Sequence, residues 1–207
     1  MTIQELKPSK RVRDRWLAVL EDGSILRLGK NQIADFALYA GRELSDEEAD
    51  RLIQAVQTEN FRAYALQTLL NGPKSRNMLL ELLAKKDCPP EQAGEIADWL
   101  EEFGYLNDGA YAAELAQSCA RRGYGPKKIR DEFYRRGVPR ELWDQALEDL
   151  EDPAEQLDAF LSKKLAGVEH PDRKELQRAS AALARRGYQW TDISAALRRY
   201  GAEIEED

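Results

Sequence analysis

Few side chains in this 207-residue chain could carry covalent or metal chemistry. It has one histidine and two cysteines. That set cannot supply a four-ligand Cys/His zinc site. His170 stands just before Pro171 at a helix start and reads as an exposed loop histidine. Cys119 falls on an apolar helix face and reads as a small buried side chain. Cys88, ahead of Pro89-Pro90, reads as a loop residue. Carboxylates are plentiful, but none has apolar neighbours placed to raise its pKa. There is no P-loop, GxGxxG, GxSxG or HExxH pattern. No catalytic residue, cofactor or metal is expected, and a helical enzyme is the poorest reading.

The side chains that recur with a purpose are cations. Arg121-Arg122-Gly123, Arg135-Arg136-Gly137 and Arg185-Arg186-Gly187 share one form, with Arg198-Arg199-Tyr200-Gly201 close to it. One account is local: cations at a helix C-terminus favour the macrodipole by about 0.3–1 kcal/mol, and the glycine supplies a left-handed cap. Dipole balance does not need seven cations between Arg121 and Arg136, where the net charge is +5 in sixteen residues. Arginine forks suit carboxylates or phosphates on a partner. Tyr124 and Tyr188 follow two of the pairs and suit an interface anchor, base stacking or plain helix packing. The candidate partner-binding residues are Arg121, Arg122, Tyr124, Lys127, Lys128, Arg130, Arg135, Arg136, Arg185 and Arg186.

These residues need helices to hold them. Residues 1–15 alternate charge without periodicity and read as a loose arm. Trp16 to Leu20 and Ile25 to Leu28, joined by Glu21-Asp22-Gly23-Ser24, predict a β-hairpin. Few or no strands are expected elsewhere. From Asn31 the period is helical, with Ile33, Phe36, Ala37 and Ala40 on one face and Gly41 at its end. Ser45-Asp46-Glu47-Glu48 fits a capping box. The helix it opens runs to about Leu70, either unbroken or split near Thr58–Asn60, and Asn71-Gly72-Pro73 stops it. Beyond it, Ser75, Pro89-Pro90, Asp108, Pro126, Pro139, Pro153, Pro171 and Thr191 mark helix starts. Gly104, Gly123, Gly137, Gly187 and Gly201 mark ends.

Nine helices between Phe61 and Tyr200 fall into three groups of three, a degenerate three-fold repeat. The fold class expected is mainly all-α. Tandem three-helix repeats would form an elongated curved array, with a small N-terminal β-hairpin. The divisions are 1–60 for the arm, hairpin and first helices, then repeats at 61–107, 108–151 and 152–207. The last ends in an acidic tail, Glu203 to Asp207. Trp99, Trp143 and Trp190 read as core or inter-repeat contacts.

The formal net charge is -7. That argues against a polycation that coats nucleic acid indiscriminately. The acidic excess lies in residues 1–109 and 151–207, so the basic segment stands against it. Two cysteines make no disulfide framework, and no apolar run reaches membrane-spanning length. A cytoplasmic monomer without a membrane partner is expected.

Gly104-Tyr105-Leu106-Asn107-Asp108, Tyr111-Ala112, Gly123-Tyr124-Gly125-Pro126-Lys127-Lys128-Ile129-Arg130 and Arg136-Gly137-Val138 resemble the central signature of the RecX regulatory proteins. The usual Asp-Asp stands here as Asn107-Asp108. The hairpin and the Gly41-Arg42-Glu43-Leu44 segment resemble that family too, and the likeness runs from Trp16 to Gly201. The resemblance implies a non-enzymatic protein of three-helix repeats. Its implied partners are the RecA recombinase and the RecA–single-stranded DNA filament, which it would modulate, usually by inhibition. It also admits direct contact with DNA. Two other readings stand beside it. One is a direct DNA binder with helix-turn-helix-like units around Gly125 to Arg136. The other is a helical scaffold for other proteins.

Overall fold

The computed structural model describes residues 1–166 and 171–200. His170 and the acidic tail lie outside the described residues. The chain divides into two compact units, one of residues 1–70 and 83–96, the other of 71–82 and 97–207.

The first unit opens with three strands: β1 (Ile3–Pro8), β2 (Arg15–Leu20) and β3 (Ile25–Gly29). They form an antiparallel sheet in the order β1-β2-β3. The expected hairpin is therefore a three-stranded sheet, and the expected loose arm is its first strand. The alternation that would reveal β1 is broken, because its register with β2 shifts between Ile3 and Glu5. Only Ile3 of that strand is fully buried. The outer edge of β1 is covered at its N-terminal end: Ile3 N donates to Arg42 O at 2.9 Å and Gly41 N to Ile3 O at 2.7 Å. Covering removes the unpaired backbone that makes an edge strand a liability.

Helix α1 (Lys30–Asp35) is shorter than its apolar period suggested. Ala37 sits at φ +45 and turns the chain, so Leu38 enters the core. Helix α2 (Asp46–Leu70) is unbroken. Its capping box is present: Ser45 Oγ accepts from Glu48 N at 3.2 Å, and Glu48 Oε2 accepts from Ser45 N at 2.9 Å. That backbone donation, with Arg42 nearby, holds the Glu48 carboxyl below its usual range. The sheet, α1 and the start of α2 enclose a core of Ile3, Ala18, Leu28, Leu44, Leu52 and their neighbours.

Helices α3 (Arg76–Ala84) and α4 (Pro90–Glu102) follow. Then come α5 (Asp108–Arg121), α6 (Pro126–Arg135), a 3-10 turn at Arg140–Leu142 and α7 (Trp143–Glu148). The last three are α8 (Ala154–Lys164), α9 (Arg173–Arg185) and α10 (Trp190–Arg199). Helices α5, α6 and α7 share one core around Phe133, Ile129 and Cys119. Helices α8, α9 and α10 share another around Leu161, Leu183 and Ile193. Trp143 takes its expected core place, tilted against Phe133 with ring centres 5.9 Å apart and donating Nε1–H to Val138 O. Trp190 does not; it opens α10 and is 61% exposed. Cys88 is the loop residue expected, between α3 and α4, and it is buried there. Asp108 is the carboxylate that the flanking sequence did not flag. Burial pushes its pKa up, against the lowering effect of the Arg76 N–H it accepts at 2.7 Å. No helix among the described residues is long and apolar enough to cross a membrane.

Candidate functional site

The Arg-Arg-Gly ends acquire a role once the helices are in place. The last carbonyls of α9 do not face water. Arg186 O accepts from Gly125 N at 2.8 Å, and Gly187 O from Lys127 N at 3.0 Å. The C-terminal end of α9 therefore satisfies amides at the N-terminal end of α6, which would otherwise be orphaned. The same joint recurs one step earlier. Arg136 O accepts from Ser75 Oγ at 2.5 Å and Gly137 O from Asn77 Nδ2 at 2.8 Å, at the start of α3. The middle helices thus meet C-terminal end to N-terminal end, α9 to α6 and α6 to α3.

The joint between α9 and α6 admits no side chain at its centre. A Cβ on Gly125 would lie 2.5 Å from the carbonyl carbon of Gly187, and Gly187 sits at φ +91 against the Lys128 backbone. Close backbone approach and positive φ both require glycine.

Within each basic pair the two arginines part company. Arg122 leans on Tyr124, its guanidinium 4.6 Å from the ring centre and Nη2 donating to Tyr124 Oη at 2.9 Å. Arg136 donates to Tyr111 Oη at 3.4 Å, which raises its pKa. Arg186 lies 4.6 Å from the Phe160 ring centre and fills the space beside Gly123. Arg135 pairs with the buried Glu132, and Arg130 with Asp144 at 3.0 Å. Six of the ten candidates, Tyr124 among them, are thus engaged within the chain. Arg121, Lys127, Lys128 and Arg185 meet no acid among the described residues; Lys128 instead stands 4.4 Å from the Tyr124 ring centre.

An open cleft of about 620 Å³ lies at this joint. Arg122, Tyr124, Lys127, Lys128, Arg135 and Arg185 line it, with Asp131, Glu132, Ala184 and Gly187. Arg121, Arg130, Arg136 and Arg186 do not line it. Tyr124 carries both Arg122 and Lys128 against its ring, and Tyr188 is buried, with burial raising its pKa. Neither ring stands clear for stacking. An aromatic of α6 that does stand clear is Tyr134, 71% exposed and three and seven residues from Asp131 and Lys127 on the same helix face. Sequence reading missed it because it weighed only the tyrosines that follow an Arg-Arg-Gly triplet, whereas Tyr134 precedes one. The arrangement offers fixed positive charge in a wide cleft, with no nucleophile and base juxtaposed within it.

Residues 107–147 match the second three-helix domain of RecX and residues 151–197 the third. Over 153 residues the chain is 34% identical to the regulatory protein RecX of Streptomyces coelicolor, covering 72% of this chain and 80% of that one. The chain belongs to the RecX family. A second RecX relative, from Bacillus subtilis, is 26% identical over 209 residues and covers 99% of this chain and 79% of its own. A crystal structure of a regulatory protein RecX superposes with TM-score 0.72 over 95% of this chain and 98% of that one, at 21% identity. RecX from Lactobacillus salivarius superposes with TM-score 0.67 over 71% and 98%. At such identity the two structures establish the fold. The Asn107-Asp108 departure from the RecX pattern has a local reason. Asn107 Oδ1 accepts from Ala110 N at 2.9 Å and caps α5, a position where Asn serves as well as Asp.

Proposed function

We infer that this RecX-family protein binds the RecA recombinase on its single-stranded DNA filament and inhibits its ATPase and strand-exchange activities. The observation that carries this reading is the cleft at the α9–α6 joint, where Lys127, Lys128 and Arg185 stand without an acidic partner among the described residues. Cations that are held at the joint and meet no acid contribute to recognition and to association rate. The partner surface that suits this cleft is proteinaceous. Asp131, exposed on the wall of the cleft, would oppose a run of phosphates, yet it suits a protein face of mixed charge. The protein acts by occupying its partner, in the cytoplasm and as a monomer, with no cofactor. Repeats at 61–107, 108–151 and 152–207 would each present a face to the filament, and several weak contacts would sum to avidity.

The helix-turn-helix reading has less support. The elements that would follow the turn, the 3-10 turn and α7, carry Glu141, Asp144 and Glu148. Carboxylates there would repel a DNA backbone.

The test is a titration of RecA ATPase and strand exchange on single-stranded DNA. Wild-type protein is expected to suppress both. Charge reversal at Lys127, Lys128 and Arg185 is expected to raise the concentration needed at least tenfold, with an unchanged helical CD spectrum. Full inhibition by that variant would remove the cleft from the mechanism. No effect of the wild type at several-fold excess would sink the reading as a whole.

A further inference from the structure

A second basic feature lies in the first compact unit, far along the sequence from the cleft. Lys7 to Arg15 holds five cations and one acid in nine residues. They span the end of β1, the β1–β2 connection and the first residue of β2. The tip is built by hydrogen bonds. Ser9 N donates to Arg15 O at 2.7 Å and closes the ribbon. Ser9 Oγ accepts from Arg11 N and Val12 N, both at 3.3 Å. The one acid, Asp14, is neutralised by Lys30 at 2.5 Å, with Arg13 at 3.7 Å. Lys10, Arg11 and Arg15 meet no acid among the described residues, and the Arg13 side chain is 96% exposed. Between Arg11 and Arg13 the tip presents an exposed Val12. Behind the tip, Lys7, Leu17 and Arg27 stand side by side across the three strands.

We propose that the β1–β2 hairpin is a nucleic-acid-binding arm whose Lys10, Arg11 and Arg13 neutralise the phosphodiester backbone while Val12 enters a groove. A two-stranded ribbon fits the grooves of duplex DNA, and an apolar tip between cations suits contact with base edges. The tip has no pocket and no aromatic anchor of the kind that organises protein interfaces. It also lacks the carboxylates that stand in the cleft. The net charge of -7 does not forbid this contact, because at physiological salt charges beyond about 8 Å are largely screened. The arm is independent of the RecA reading, since its residues and those of the cleft lie in different compact units.

The experiment measures fluorescence anisotropy of labelled duplex and single-stranded DNA with the full chain, from 50 to 200 mM salt and without RecA. Binding to at least one form is expected, weakening as salt rises. The K10Q/R11Q/R13Q variant should lose at least tenfold in affinity, and its log–log salt slope should fall by about 2 to 3. A loss confined to duplex assigns the arm to a groove; a loss with both forms assigns it to the backbone alone. All three positions are exposed, so the variant's melting temperature should match the wild type. The K127E/K128E/R185E variant should keep its DNA affinity, so failure of the cleft reading and failure of this one are separable. Three results would overturn the arm: no DNA binding by the wild type at 50 mM salt, undiminished binding by the triple glutamine variant, or loss of DNA binding in the cleft variant instead.

Discussion

Each Arg-Arg-Gly triplet divides its two arginines between different tasks. The second leans on an aromatic side chain: Arg122 on Tyr124, Arg136 on Tyr111, Arg186 on Phe160. The glycine turns the chain with positive φ. Gly187→Ala should therefore cost about 2 kcal/mol or more, combining αL strain with contact against the Lys128 backbone. Urea unfolding would show it, and Gly94→Ala, with open space around its Cβ position, is the matched control. Asp108 offers a second test. Its folded-state pKa is raised, so its ionised form opposes folding at neutral pH. That cost falls away as pH drops through the raised pKa. Asp108→Asn keeps an acceptor for Arg76 N and removes the charge. Its stability relative to wild type should be most favourable at neutral pH, and that advantage should vanish below the ordinary value of 3.8. At this scale the sequence showed where cations gather but not which are spoken for. Tyr111 and Phe160 are 25 and 26 residues from the arginines they engage, and no local pattern links such pairs. Asp108 escaped notice for the same reason: what buries it comes from elsewhere in the chain.

At the scale of elements, helix ends decide more than helix faces. Helix α6 receives main-chain carbonyls from α9, and α3 receives them through Ser75 and Asn77. Helix α9 has its own complete box instead: Asp172 Oδ1 accepts from Glu175 N at 2.7 Å, and Glu175 Oε2 accepts from Asp172 N at 3.0 Å. Asp172→Ala removes one exposed cap and should cost about 1 kcal/mol. Ser75 is fully buried, capping Met78 N while donating to Arg136 O. Ser75→Ala orphans both groups and should cost about 2–3 kcal/mol. Equal losses in thermal unfolding would show that the α6–α3 joint contributes nothing. Helix faces and most helix boundaries could be read from spacing, because buried side chains repeat at 3.6 residues. The strand β1 could not, since one fully buried residue and a register shift leave no alternation to find. The early stop of α1 was equally hidden, because Ala37 gives no signal of positive φ.

Two basic places on this acidic chain differ in kind: a cleft with acids beside its cations, and a hairpin tip with one neutralised acid. They should differ in salt response. Raising salt from 50 to 200 mM should weaken DNA binding steeply, through counterion release, and inhibition of RecA more gently. Parallel titrations of both activities would show the difference, and identical slopes would mean a single shared surface. Net charge hid both places, since it averages over distances that screening keeps apart. The joint between α9 and α6 leaves a further mark on the molecule. The amide protons of Gly125 and Lys127 are held by carbonyls some sixty residues further along the chain. Their exchange with deuterated solvent therefore reports how often the third repeat lets go of the second. That opening has its own equilibrium, separate from the unfolding of either core. If a partner grips the cleft across this joint, those two amides should be the first in the protein to slow.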